Sequence, residues 1–265
     1  MQQHLIFIDI DGTLIHDDQT VSQYTKDTLA RLQAAGHIVY IATGRMKPLA
    51  ELVRAQLNPQ IKLINSNGAM YELATKQYYH FLERPALADV VEIVEQYQAP
   101  VRLFTKDQVY HNLDNLDNLN ALSFLAKSLV KDSFHHFKNA AELDNRGIVN
   151  GLVAGVPIPT IKKIRLELAS SPNLVVSSSS MENVELLPLD VSKASAVNAV
   201  QKFYKIPKER TIVFGNGEND IPMLEAAQVS VAMANSEKIV FDHASYQTLT
   251  NEADGVAVFL NEYFK

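Results

Sequence analysis

Apolar runs and polar breaks alternate in a regular order through the first part of the chain. Residues 5–8 (Leu-Ile-Phe-Ile) are continuously apolar, the pattern of a parallel strand buried on both faces. A helix is expected from about Val21-Ser22, with Leu29 and Leu32 on one face and Gly36 as its left-handed stop. Residues 37–42 form a second apolar run that ends in Thr43-Gly44-Arg45, and Pro48 sits early in the next helix. Residues 61–64 predict a third strand, and Asn67-Gly68 a tight hairpin turn before residues 69–71. This strand-helix rhythm predicts a parallel doubly wound sheet, whose ligands sit beyond the carboxyl ends of the strands.

From Arg84 the pattern changes. A helix over 87–97, short strands near 101–104 and 109–111, and a helix over 119–130 are expected. A strand-like stretch at 148–154, a helix over 160–170 and runs near 174–179 and 184–187 follow, and Pro188 marks a return. The fold class is therefore α/β, with a core formed by residues 1–83 and 188–265 and an inserted α+β cap over 84–187. Ser177-Ser178-Ser179-Ser180 reads as a polar edge strand and turn, without assigned function. Beyond it, Lys193 opens a helix and residues 211–214 form a strand ending in Gly215-Asn216-Gly217-Glu218-Asn219-Asp220. A helix over 221–227, strands at 229–232 and 246–249 and a closing helix over 256–263 complete the expected elements.

Composition narrows the chemistry. The 265 residues exceed one domain of about 150 residues, and 47% hydrophobic content is ordinary for a globular chain. Net charge is −6 with scattered basic residues, which argues against a nucleic-acid groove or an anionic membrane surface as partner. Cysteine is absent, removing disulfides, thiolate metal sites and cysteine nucleophiles together, so any metal binds oxygen or imidazole. No apolar stretch approaches the ~20 residues of a membrane span, and the first strand starts near His4, so a cytoplasmic protein without a leader is expected.

Candidate chemistry collects at predicted strand ends. Asp9 and Asp11, spaced by two in extended chain before the Gly12 turn, project to the same side. Such a pair suits covalent phosphoryl transfer: one ionised carboxylate attacks phosphorus while the other, protonated, serves the departing oxygen. Two close carboxylates resist double ionisation, which favours that division. An acidic turn that merely ends a strand gives the same local sequence. Thr43 with the amides of the Thr43-Gly44 turn offers neutral donors to a phosphate, although Thr-Gly also makes ordinary turns and Arg45 reads as a solvated first-turn residue. Lys193 begins a helix, where the dipole disfavours a cation unless an anion is near. Gly215 to Asp220 lacks the third glycine of a dinucleotide loop and reads better as a metal and phosphate loop. There Asn216 and Asp220 supply oxygen to Mg²⁺ or its waters, and Asn219 donates to phosphate.

Taken in order, Asp9-x-Asp11-Gly12-Thr13, Thr43, Lys193 and Gly215-x-Gly217-x-Asn219-Asp220 resemble the four motifs of the haloacid dehalogenase (HAD)-like superfamily, and their spacing resembles the Cof-type phosphatases. The likeness extends to Ser66-Asn67-Gly68-Ala69, Val231-Ala232-Met233-Ala234-Asn235 and Asp254-Gly255-Val256-Ala257; the cap matches mainly in placement and length. The resemblance implies Asp9 as nucleophile and Asp11 as acid for the leaving group, then base for water. It implies Thr43, Gly44, Lys193, Asn219 and the backbone of Ile10 as the phosphoryl cradle. Asp9, the Asp11 carbonyl and the last loop, with Asn216 and Asp220, would hold Mg²⁺.

One position departs from the family: Asn216 stands where an aspartate metal ligand is usual. The expected activity is Mg²⁺-dependent hydrolysis of small phosphorylated metabolites, such as sugar phosphates. The alternatives are a phosphotransferase or mutase using the same intermediate and a metabolite-binding protein weakened by Asn216. A phospho-receiver module is a poor match because receivers carry no cap of about 100 residues. His135-His136 and Tyr110-His111 are candidate cap contacts that also fit surface or packing roles.

Overall fold

Residues with apolar side chains on both faces make the central strands, and the helices between them cover those faces. The computed structural model describes residues 2–113 and 133–265, so the helix expected over 119–130 lies outside the described residues. In chain order the first arm contains β1 (Leu5–Ile8), α1 (Gln23–Ala34), β2 (Ile38–Ala42), α2 (Lys47–Arg54), β3 (Lys62–Asn65), β4 (Met70–Leu73) and β5 (Lys76–Tyr79). Next come α3 (Arg84–Gln96), β6 (Val101–Phe104), β7 (Val109–His111), β8 (Phe134–His136), β9 (Asn150–Ala154), α4 (Ile158–Ala169), β10 (Leu174–Ser177) and β11 (Asn183–Pro188). The last arm has α5 (Lys193–Tyr204), β12 (Thr211–Gly215), α6 (Ile221–Glu225), β13 (Val229–Ala232), β14 (Tyr246–Gln247) and α7 (Gly255–Tyr263).

The chain divides into two compact units. One comprises Met1–Arg45, Ala50–Tyr78 and Ser192–Lys265; the other comprises Met46–Leu49 and Tyr79–Val191. In the first, the described strands form one sheet in the order β14-β13-β12-β1-β2-β3-β4-β5. The pairs from β14 through β3 are parallel, and β4 turns back antiparallel on β3. Alternation sends Ile6, Ile8, Val39, Ile41, Ile212 and Phe214 to one face, against Leu29 and Leu32 of α1 and Val256 and Leu260 of α7. Leu5, Phe7, Tyr40 and Val213 go to the other, against Ala196, Val197 and Val200 of α5 and Met223 and Leu224 of α6. This is the doubly wound core that the apolar runs predict.

In the second unit the described strands run β10-β11-β9-β6-β7-β8, mostly antiparallel. Val101, Leu103, Val153, Val184 and Leu186 pack one face on α3 and α4 through Leu87, Val90, Ile161, Ile164 and Leu168. β10, which ends where the serine run begins at Ser177, is an edge strand. Two expectations are corrected, and two strands are added. The strand at 246–249 is shortened to Tyr246–Gln247, the helix at 221–227 stops at Glu225, and β5 and β8 form where polar sequence gave no strand signal. Among the described residues no helix is long and apolar enough to cross a membrane.

Two glycines fix how the first unit's loops close. Gly12 has φ +74°, and a Cβ there would lie 2.5 Å from Asn216 Nδ2. Gly68 has φ +98°, and a Cβ would fall 2.1 Å from the Ser192 carbonyl oxygen, directly before Lys193. An alanine at 68 therefore meets both left-handed strain and a backbone clash. Gly68→Ala is expected to lower unfolding stability by about 2 kcal/mol or more, read from a denaturant midpoint. A wild-type midpoint would contradict this close packing.

Candidate active site

β1 ends in Asp9, whose N–H donates to the Phe214 carbonyl at 3.1 Å and so prolongs the pairing with β12. The parallel register sets Ile8 beside Phe214 and Ile41, which brings the ends of β1, β2 and β12 together. Asp9, Thr43 and Gly215 follow or close these three strands. Each comes from a different loop, so the sheet is what assembles them.

Lys193 lies in the first turn of α5. Ser192 caps that helix reciprocally with Ser195: the Ser195 N–H donates to Ser192 Oγ at 3.1 Å, and the Ser192 N–H to Ser195 Oγ at 3.0 Å. The ammonium is fully buried between two carboxylates, with Nζ 2.7 Å from Asp9 Oδ1 and 2.6 Å from Asp220 Oδ1. The second Asp220 oxygen accepts the N–H groups of Asn216 and Gly217 at 2.9 and 3.1 Å. Gly215 is what admits that carboxyl, because a Cβ would stand 2.5–2.7 Å from Asp220 side-chain atoms. The first glycine of the Gly-x-Gly loop thus serves the approach of Asp220.

One cation between two buried carboxylates leaves an excess of negative charge. Burial, then repulsion from Asp220, pushes the Asp9 carboxyl up to about 8 against the opposing pull of Lys193. For Lys193 burial acts downwards, yet Asp220 and Asp9 together hold its ammonium above the ordinary value. The lysine is therefore a fixed positive charge, and Asp9 is the group whose ionisation is held back.

The neighbouring loops knit around this centre. The Thr43 N–H donates to the Ile64 carbonyl at 2.9 Å, and Asn67 N–H returns to the Thr43 carbonyl at 3.0 Å. A Cβ on Gly44 would lie 3.1 Å from Asn67 Oδ1, and Asn219 Nδ2 approaches the same oxygen at 3.5 Å. Thr13 Oγ1 donates to Asn216 Oδ1 at 3.1 Å, fixing that amide, while Asn235 Nδ2 donates to the Gly12 carbonyl at 2.8 Å. Ile10 is buried in the turn that follows Asp9.

Asp11 takes a different place from Asp9. It is largely exposed and is held by Arg45, whose Nε and Nη2 donate to its two oxygens at 2.9 and 2.5 Å. Arg45 Nη2 also reaches Gln19 Oε1 at 2.7 Å. The sequence reading of Arg45 as a solvated first-turn residue is thus corrected: it is the bidentate partner of the second acid. Its position directly after Thr43-Gly44 was the available signal.

The donor set suits a hard cation. Asp9 and Asp220 carboxylates, the Asn216 amide oxygen and backbone carbonyls are all oxygen donors. Among the described residues no three acidic or histidine side chains cluster as a metal site. Two carboxylates with a neutral amide fall within what Mg²⁺ uses when substrate and water complete its shell. The resisted ionisation of Asp9 is a deficit that a divalent cation would meet.

The raised Asp9 carboxyl has a consequence for stability. In the unfolded chain it titrates near 3.8, and in the fold near 8. Between these values the fold keeps a proton that the unfolded chain releases, so stability present below about pH 4 is lost as pH rises towards 8. In metal-free buffer Asp9→Asn is expected to raise Tm by at least about 3 °C at pH 8, with a smaller gain at pH 5. A gain independent of pH, or a loss, would contradict the charge balance.

Comparison with known proteins places the chain in a family. Residues 6–260 match the model of the haloacid dehalogenase-like hydrolases. A 5-amino-6-(5-phospho-D-ribitylamino)uracil phosphatase of Bacillus subtilis is 30% identical, covering 98% of this chain and 97% of its own. A second B. subtilis phosphatase named for the same compound is 27% identical over 96% of this chain and 92% of its own. The solved structure of a haloacid dehalogenase-like hydrolase from B. subtilis superposes with a TM-score of 0.85 at 26% identity, covering 97% of this chain and 99% of that one. The chain is an enzyme of this group: it belongs to the haloacid dehalogenase-like hydrolases.

Proposed function

We propose that the protein is a Mg²⁺-dependent phosphatase of small phosphorylated metabolites that works through a phosphoryl group carried on Asp9. The observation that supports this most is the buried Lys193 ammonium, 2.7 Å from Asp9 and 2.6 Å from Asp220 at the end of a parallel strand. A fixed cation there lets an anionic nucleophile approach an anionic phosphate. The phosphatase names of the relatives point the same way.

In the first step an oxygen of ionised Asp9 bonds to phosphorus as the bond from phosphorus to the ester oxygen breaks. That departing oxygen takes the proton of Asp11. In the second step Asp11 removes a proton from water, whose oxygen bonds to phosphorus while the bond to Asp9 breaks, returning both acids and releasing inorganic phosphate. Arg45 engages both Asp11 oxygens in the resting protein, so Asp11 turns away from it to serve the leaving group. Thr43, Gly44, Asn219, Lys193 and the Ile10 backbone are the proposed phosphoryl cradle. Asp9, the Asp11 carbonyl, Asn216 and Asp220 would hold Mg²⁺, which supplies charge neutralisation at the phosphoryl oxygens.

Phosphate release from an aryl phosphate, from sugar phosphates and from 5-amino-6-(5-phospho-D-ribitylamino)uracil tests the reading directly. Asp9→Asn is expected to reduce release by at least about 10³-fold, and retained turnover would overturn the covalent route. Asn216→Asp restores an anionic oxygen beside Thr13. It is expected to lower the half-saturating Mg²⁺ concentration by roughly tenfold, equivalent to about 1.4 kcal/mol, whereas an unchanged value would remove Asn216 from the metal's surroundings.

A further inference from the structure

The sheet of the second unit has a face turned away from α3 and α4, and its register gathers cationic groups there. Arg102 on β6 stands opposite His111 on β7, and His111 opposite His136 on β8. Such directly opposed side chains have Cβ atoms about 5 Å apart. The His111 and His136 rings meet edge to face with centroids 5.6 Å apart. On the same face Asn150 of β9 lies one pair along, opposite Phe104.

Two of these side chains have unmet hydrogen bonds. Among the described residues Arg102 Nε is buried without an acceptor, and Asn150 Oδ1 is buried without a donor. Among the described residues no ion pair links Arg102 to a carboxylate. Glu185, the acid on this face, lies beyond Leu152 and accepts from Ser179 Oγ at 2.8 Å. Burial holds the Arg102 guanidinium below its ordinary range, and His111 is held down by burial and by His136, Arg102 and His135. Desolvating a guanidinium without a counter-charge is costly, and a structure that keeps one has a place for an anion. Arg102 is only partly buried and His136 is exposed, so the row opens to solvent at these two positions, while His111 and Asn150 are buried.

We propose that Arg102, His111 and Asn150 form an anion-binding site within the second unit, which takes a carboxylate or phosphate flanked by a hydroxyl group. The guanidinium supplies planar paired donors, His111 adds charge when an anion raises its proton affinity, and the Asn150 amide meets the adjacent hydroxyl. The anion belongs either to the organic part of a substrate or to a separate effector. These three residues bind the anion whether or not Asp9 carries out the proposed chemistry.

The test follows the His111 ring by NMR in histidine-labelled full-length protein titrated with glycerate, with glycerol as the neutral control. Glycerate is expected to shift the His111 resonance saturably and to raise its titration midpoint, and glycerol to do neither. Arg102→Met should weaken glycerate binding by at least about tenfold, with Arg102→Lys intermediate and folding verified by thermal melts. No saturable response in the wild type, or a response that survives in Arg102→Met, overturns the site. A rate assay then separates the two sources. If the anion is the substrate's own, Arg102→Met lowers the ratio of kcat/KM for 3-phosphoglycerate over glycerol 3-phosphate about tenfold. If it is an effector, the ratio holds and glycerate changes the wild-type rate. Absence of turnover would count against the phosphatase reading and leave the NMR result standing.

Discussion

A single buried ammonium holds the centre of this protein together. Lys193 is shared by Asp9 from the end of β1 and Asp220 from the loop after β12, so it joins three chain segments that are far apart in sequence. One positive charge cannot fully compensate two buried carboxylates, and the residue of that imbalance falls on Asp9. Asp220 is better provided for, since two backbone N–H groups meet its other oxygen. The asymmetry leaves Asp220 held by its backbone donors and Asp9 as the acid whose ionisation is resisted.

The surrounding glycines and caps follow from that constraint. Gly215 leaves room for Asp220, Gly68 lets its loop lie against the Ser192 backbone, and the Ser192-Ser195 box starts α5 where its first side chain reaches the site. The helix dipole alone would disfavour a lysine at that position. The carboxylates offset this many times over at contact distance. Further out, Asp254 receives Ser22 Oγ and Thr25 Oγ1 at 2.5 and 3.0 Å and ties the start of α1 to the last arm of the chain.

Much of this is legible in the sequence. Buried parallel strands declare themselves as uninterrupted apolar runs, so β1, β2, β3 and β12 and the strand-end positions of Asp9 and Thr43 follow from pattern. The excess charge at the start of α5 pointed from Lys193 to a nearby anion. What escaped were relations set by side-chain reach between distant loops. Arg45 follows Thr43-Gly44 directly, which places it near the strand ends, but its grip on Asp11 depends on how two turns face each other. Strands β5 and β8 are short and polar, and their pairing is a tertiary effect that local propensity does not encode. Arg102 lies in the expected strand near 101–104, and only the register reveals it as a cation without a counter-charge among the described residues.

The central claim is that Asp9 itself carries the phosphoryl group during turnover. The most direct measurement is an acid quench of a pre-steady-state reaction with radiolabelled phosphate ester, followed by recovery of label on protein and its release by hydroxylamine. The account predicts hydroxylamine-labile label on the wild-type chain, mapped to the peptide containing Asp9 and absent from Asp9→Asn. Rapid turnover with no protein-bound label, or label that persists when Asp9 is replaced, would contradict it.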